Sequence, residues 1–247
     1  MDTDWLPVDF HIRLIGVLSF VFVAYAYWLG QPTAKRALPH DHRNPVLALS
    51  LAKSGSEIVD IKEADEDGNV GTQLKKDWGF IAVYLILFLL LSFLLVRLSA
   101  PAGKWLGWVA AIFATLAAIS DLVENFGMTK ALAEPIANDS LAHLIRYASL
   151  SKWTATYFFA LVVGLIFFSR SGWVILPGLL MIAAALVGIT GVAVNLFNQD
   201  FHLTFPISLG ALALATVCIV FLFTFCSRYV FDNFPAHPRE VYARLIL

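Results

Sequence analysis

The chain reads as an all-α protein, a polytopic transmembrane helix bundle of about six spans with one polar interhelical loop segment and short interfacial helices. Three observations predict this. Hydrophobic residues make up 59% of the 247 and the mean hydropathy is +0.75. Charged residues are 14%, against about 25% in soluble domains. Several apolar runs are long enough to cross about 30 Å of hydrocarbon, and aromatic or basic residues stand at their ends. The expected spans are residues 12–30, 78–97, 105–125, 150–169, 173–196 and 204–227, in one integral membrane domain covering 1–247. Residues 31–77 form an extramembrane loop with a short interfacial helix.

In the first span Arg13 stands at the near end, while Tyr25, Tyr27 and Trp28 make an aromatic belt at the far end. Asp2, Asp4 and Asp9 give the N-terminus the wrong charge for a secretory signal, so this segment is expected to stay in the mature protein. Within the loop, Asn44-Pro45 is a helix start with Asn as cap, and Gly55 is expected to stop a short helix along the membrane edge. Glu63 to Asn69 reads as a solvated acidic turn, since a calcium loop would need glycine elsewhere and a glutamate where Lys76 stands.

The second span is expected to open at Trp78 and close at Arg97. A short turn at Ser99 to Lys104 then makes the second and third spans antiparallel neighbours. The third helix runs from Trp105 through Asp121 to about Ala133, and at about 1.5 Å per residue Asp121 lies some 24 Å from Trp105. That depth is at the far edge of the hydrocarbon, where a carboxylate needs a partner. The fourth helix, capped by Asp139-Ser140 and continuing to Phe168, supplies one. Folding the two helices about Ala137 sets Asp121 opposite Lys152 or Trp153, so an Asp121–Lys152 pair is expected. Ala110, Ala114 and Ala117 on the third helix, and Thr156, Ala160 and Gly164 on the fourth, are expected to form facing small-residue stripes. One turn further, Glu124 and Asn125 come level with Ser149 and Arg146 and extend the pair into a network.

Pro177 sits in the first turns of the fifth span, and Ala184, Gly188, Gly191, Asn195 and Asn198 form a small-to-polar stripe along it. The sixth span follows, then an amphipathic piece from Pro238 that is expected to lie on the surface. Counting crossings places Asp121, Lys152, Asn195 and Asn198 on one side of the membrane and both termini on the other. The connection after the fifth span lacks Lys and Arg, which points to cytoplasmic termini in a bacterial inner membrane.

Composition excludes several chemistries. A net charge of −1 gives no basic stripe for nucleic acid. Cys218 and Cys226 lie in an apolar run and make neither a disulfide framework nor a zinc knuckle. No histidine is expected within a span, which argues against a bis-histidine haem, and His40-Asp41-His42 reads as a solvated loop. No phosphate-binding glycine loop, zinc-protease motif or serine elbow is present. No cofactor or metal is expected.

The order of Leu47 to Ala52, then Lys76-Asp77-Trp78-Gly79-Phe80-Ile81, then Asp121-Leu-Val-Glu124-Asn125, then Arg146-x-x-Ser149-Leu-x-Lys152-Trp153 resembles a group of uncharacterised bacterial multispan membrane proteins. The Asp-Leu-x-Glu-Asn and Ser-Leu-x-Lys-Trp motifs carry the resemblance, which covers less than half the chain and implies no activity.

The expected function is binding of a lipid headgroup or other amphiphile at an interfacial polar site between helices three, four and five. Its residues are Asp121, Glu124, Asn125, Arg146, Ser149, Lys152, Asn195 and Asn198. Two alternatives stay open. One is a structural or accessory subunit that meets a membrane-protein partner or its own copies through apolar faces rich in the 20 phenylalanines, with Asp121–Lys152 purely structural. The other is a lipid-modifying enzyme using the carboxylates as acid and base, with or without a metal on His40, His42 or His202. No catalytic residue is assigned, and membrane lipids are the expected partners.

Overall fold

A computed structural model describes residues 7–29, 44–65, 69–99, 101–134, 138–170, 172–198 and 204–225. The described residues are helical, without strands: α1 (Val8–Leu29), α2 (Pro45–Leu51), α3 (Gly55–Ala64), α4 (Asn69–Leu98), α5 (Pro101–Ala133), α6 (Asp139–Phe168), a 3₁₀ turn (Gly172–Val174), α7 (Ile175–Asn198) and α8 (Thr204–Phe225). Among them, α1, α4, α5, α6 and the segment Gly172–Val194 are long and apolar enough to cross a membrane. α8 adds a shorter apolar stretch, Leu212–Phe225. The chain is an integral membrane protein of polytopic, all-α build.

α4, α5 and α6 have 30, 33 and 30 residues, or about 45–50 Å each, which exceeds a hydrocarbon core of about 30 Å. The excess is polar and falls at the start of α4, the end of α5 and the start of α6. The second-span helix therefore begins at Asn69 and not at Trp78. The cause is a buried stripe the apolar run does not reveal: Val70, Gln73 and Leu74, followed by Ile81 and Tyr84, recur at helical spacing.

The chain packs as two compact units. One comprises residues 24–83 and 116–153. Its core is formed by Ala48, Leu49 and Ala52 around α2, Ile58 and Ile61 of α3, Val70 and Leu74 of α4, Met128 and Ala131 of α5, and Leu141, Ala142 and Ile145 of α6. Asn44 caps α2 as expected, its Oδ1 accepting from the amides of Val46 (3.0 Å) and Leu47 (3.2 Å). Asn44→Ala is expected to cost about 1 kcal/mol, read as a lowered unfolding temperature in mild detergent. Pro45, Ala48, Leu49, Ser50 and Leu51 of α2 are buried within the protein, while Val46 and Leu47 are half-buried.

α3 was not expected, because Gly55 was read as a stop. Ser54 instead caps a new helix, its Oγ accepting from the Glu57 amide, while the Glu57 carboxylate accepts from the Lys53 amide at 2.8 Å. Side chains from neighbouring segments close the other helix ends of this unit. Asp65 Oδ2 accepts from the Val70 amide at 3.0 Å, so part of the acidic stretch caps α4. Lys62 Nζ donates to the carbonyls of Ala131 and Glu134 at the end of α5. Asn138, not Asp139, caps α6 by accepting from Leu141, and Asp139 accepts from the Gly55 amide at 2.8 Å.

The other unit takes the described residues among 1–23, 84–115 and 154–247. Helices here approach through glycine. A Cβ at Gly16 of α1 would strike Thr224 of α8, and one at Gly188 of α7 would strike the Tyr157 ring of α6. Gly164, expected on the stripe facing the third span, meets Gly178 and Ile182 of α7. Aromatic stacking joins Phe113 to Phe158 (5.3 Å) and Phe88 to Phe159 (4.2 Å). After α6 the chain turns through Gly172 at φ 65°, a left-handed conformation that favours glycine. Arg170, beside that turn, is buried and donates from Nη2 to Ser99 Oγ at 3.0 Å. Burial pushes its guanidinium down to about 10, which leaves it charged at neutral pH.

Two histidines lie inside long helices: His143 in α6, as the expected fourth helix had it, and His11 in α1, which was expected to precede the first span. α1 starts earlier than the apolar run suggests and carries His11 inward, where its Nε2 meets the Leu90 carbonyl at 2.9 Å. Histidine placement therefore gives no ground for excluding haem. His40, His42, His202, Cys226 and the piece from Pro238 lie outside the described residues.

Candidate functional site

The site belongs to the first unit described, where the end of α5 and the start of α6 run past each other. Gly127 of α5 permits the approach, since a Cβ there would stand 2.9 Å from Ile145 Cγ1. Asp121 and Glu124 fall one turn apart on α5, so both carboxylates face the same way. Their side chains are 3% and 1% exposed. Lys152 of α6 reaches between them, with Nζ 3.0 Å from Asp121 Oδ1 and 2.5 Å from Glu124 Oε2. The expected Asp121–Lys152 contact is present, and Glu124 shares the ammonium.

Two participants were not anticipated. Ser50 of α2 donates from Oγ to Glu124 Oε1 at 2.6 Å, and the same oxygen lies 2.9 Å from the Val46 carbonyl. Asp77 of α4 accepts from Asn125 Nδ2 at 2.7 Å and lies within electrostatic range of Asp121 and Lys152. A signal for Asp77 existed in the sequence, since it is three residues beyond Leu74 and four before Ile81, on the stripe that α4 buries. Ser50 gave none beyond being one hydroxyl in an apolar helix.

Arg146 Nη1 donates to the Leu51 carbonyl at 3.3 Å, at the C-terminal end of α2. Ser149 is fully buried and its hydroxyl has no hydrogen-bond partner among the described residues. Asn195 and Asn198 belong to α7, but their side chains lie outside the described residues.

Aromatic residues accompany this cluster. Lys152 Nζ stands 5.5 Å from the Trp153 ring centroid, and Lys76 Nζ lies over the Trp28 ring at 4.1 Å. Tyr25 packs edge-on to Trp28 and donates to the Lys76 carbonyl at 2.8 Å. Trp28 and Trp78 are half exposed, as rings of an interfacial belt are.

Among the described residues, Asp121 and Glu124 pair with Lys152, and Asp77 adds a third carboxylate nearby. Such an arrangement can hold helices together, recognise a positive group, or move a proton. Among the described residues, no three His, Cys, Asp or Glu side chains come together as metal ligands. No protein-family model, curated protein or solved structure matches the chain, so its chemistry is read from these residues alone.

Proposed function

We propose that this multipass membrane protein binds the headgroup of a lipid or another amphiphile at the cluster of Asp121, Glu124, Asn125, Ser149 and Lys152. The observation that carries the reading is the gathering of acids at the cluster: Asp121 and Glu124 share the Lys152 ammonium, and a third carboxylate, Asp77, is held by Asn125. Two acids on one base, with a third acid close by, favour a site that can take a further positive group from the membrane.

The test is native mass spectrometry of the protein extracted in mild detergent. A co-purifying lipid is expected, and it should be lost from the triple variant Lys152→Met, Asp121→Leu, Glu124→Gln. That variant removes the ammonium together with both carboxylates it pairs, so no uncompensated charge of the trio stays buried and the helices keep their packing. A folded triple variant that retains the lipid would overturn the reading.

A second reading is favoured by one observation, the near-complete burial of Asp121 and Glu124 together with the Ser50 bond that ties α2 to α5. On that reading the network locks the helices of an accessory subunit of a larger membrane complex. It predicts no bound lipid, and co-extraction with a stoichiometric protein partner.

A further inference from the structure

The inference that follows rests on the binding reading above. We infer that the headgroup taken by the cluster is a protonated amine bearing N–H groups, and not a phosphate or a carboxylate. Charge gives the sign of the ligand, because a site that already holds Asp121 and Glu124 on Lys152, with Asp77 on Asn125, would repel a second anion brought into the same low-dielectric space.

Hydrogen bonding gives the second requirement independently of charge. Asn125 is 1% exposed, and its amide is turned into the cluster because Nδ2 donates to Asp77 Oδ2 at 2.7 Å. Its Oδ1 is then left buried with no partner among the described residues. A buried acceptor without a donor is costly, and the group that relieves it must donate. Ser149 Oγ, equally buried and unpartnered, lies one turn before Lys152 on α6.

A primary ammonium meets both requirements. It carries one positive charge and three N–H donors, which suit a carboxylate and the Asn125 carbonyl together. A quaternary ammonium carries the charge without the donors, and a phosphate carries acceptors where acceptors are already in excess. The lipid that fits is one with an ethanolamine-type headgroup. Of the ion-paired trio Lys152 is the least buried, its side chain 16% exposed.

The experiment compares, on the full chain in mild detergent, lipids of identical acyl chains bearing ethanolamine, choline or glycerol headgroups, together with ethanolamine alone. Bound lipid is read by native mass spectrometry and the melting temperature by thermal unfolding. The ethanolamine lipid is expected to bind roughly tenfold tighter than the choline lipid, which has the same charge but three methyl groups in place of the N–H donors, and tighter still than the acidic glycerol lipid. In Asn125→Leu the preference for ethanolamine over choline should shrink to about twofold or less, with the acidic lipid still excluded. Equal binding of the ethanolamine and choline lipids, or tighter binding of the acidic one, overturns the inference while leaving headgroup binding intact. Ethanolamine alone raising the melting temperature as far as the lipid does overturns the lipid as the source of the amine. Binding of none of the three lipids overturns the reading on which the inference rests. The headgroup series is run on the unaltered protein, so it decides the matter even if Asn125→Leu fails to fold.

Discussion

Lys152→Ala is expected to destabilise the protein by about 3–5 kcal/mol, the range for removing one partner of a buried ion pair. The cost arises less from the lost attraction than from what is left behind. Asp121 and Glu124, 3% and 1% exposed, would remain buried without the ammonium that both contact. Asp121→Asn should be milder, because Lys152 keeps Glu124 at 2.5 Å and the new amide still fills the space. The triple variant Lys152→Met, Asp121→Leu, Glu124→Gln should lie closer to the unaltered protein than Lys152→Ala does, since groups in one network are not additive. Denaturant or thermal unfolding in a fixed detergent orders the three variants. If Lys152→Ala unfolds within about 1 kcal/mol of the unaltered protein, the two carboxylates do not depend on Lys152, and the cluster as described is wrong.

The second large effect is expected at Gly178→Val. A Cβ there would stand 2.7 Å from the Phe168 amide nitrogen and 2.9 Å from the Gly164 carbonyl oxygen. Both are backbone atoms of α6, so no side-chain rotation makes room and α7 must move away from α6. Overfilling a packed contact costs about 1–3 kcal/mol when side chains can adjust, and a backbone clash belongs at or above the upper end. The loss is not recovered elsewhere, because helix association within a bilayer depends on close packing and gains little from apolar burial. Gly71 is the internal control, since a Cβ there meets nothing within 4 Å. Gly71→Ala, in α4, should be neutral or stabilising by up to about 1 kcal/mol, as removal of a helical glycine allows. If Gly178→Val melts with Gly71→Ala, the α6–α7 approach through Gly178 is not the contact described.

The pairing of Lys152 with Asp121 was legible because hairpin register needs only two helix boundaries and a turn. Counting outward from residue 137 places Asp121 sixteen residues before it and Lys152 fifteen after it, within one residue of facing each other. The share of Glu124 in the same ammonium follows from its place one turn beyond Asp121. Asp77 and Ser50 were not read, for different reasons. Asp77 was assigned to the end of a loop because the apolar run begins after it, although Val70, Leu74 and Ile81 mark a buried stripe that passes through it. Ser50 lies in a helix of 7 residues buried on most sides, where no periodicity separates a face that meets a ligand from one that meets a neighbour. Gly164 shows a further ambiguity: a small residue announces close packing but not which helix packs there.

Composition and the length of the apolar runs by themselves determined the class of this protein, the main helices and the depth at which charge had to be neutralised. These follow from local chemistry, because lipid forces each spanning segment to satisfy its own backbone and each charge near it to find a partner. The tertiary structure decided how that need is met: α2 folds in to bring a hydroxyl, α4 extends nine residues before Trp78 to bring a third carboxylate, and Lys152 is shared between two acids. Those choices depend on contacts between residues far apart in the chain. A buried polar group states in the sequence that it requires a partner, and only packing selects which one arrives.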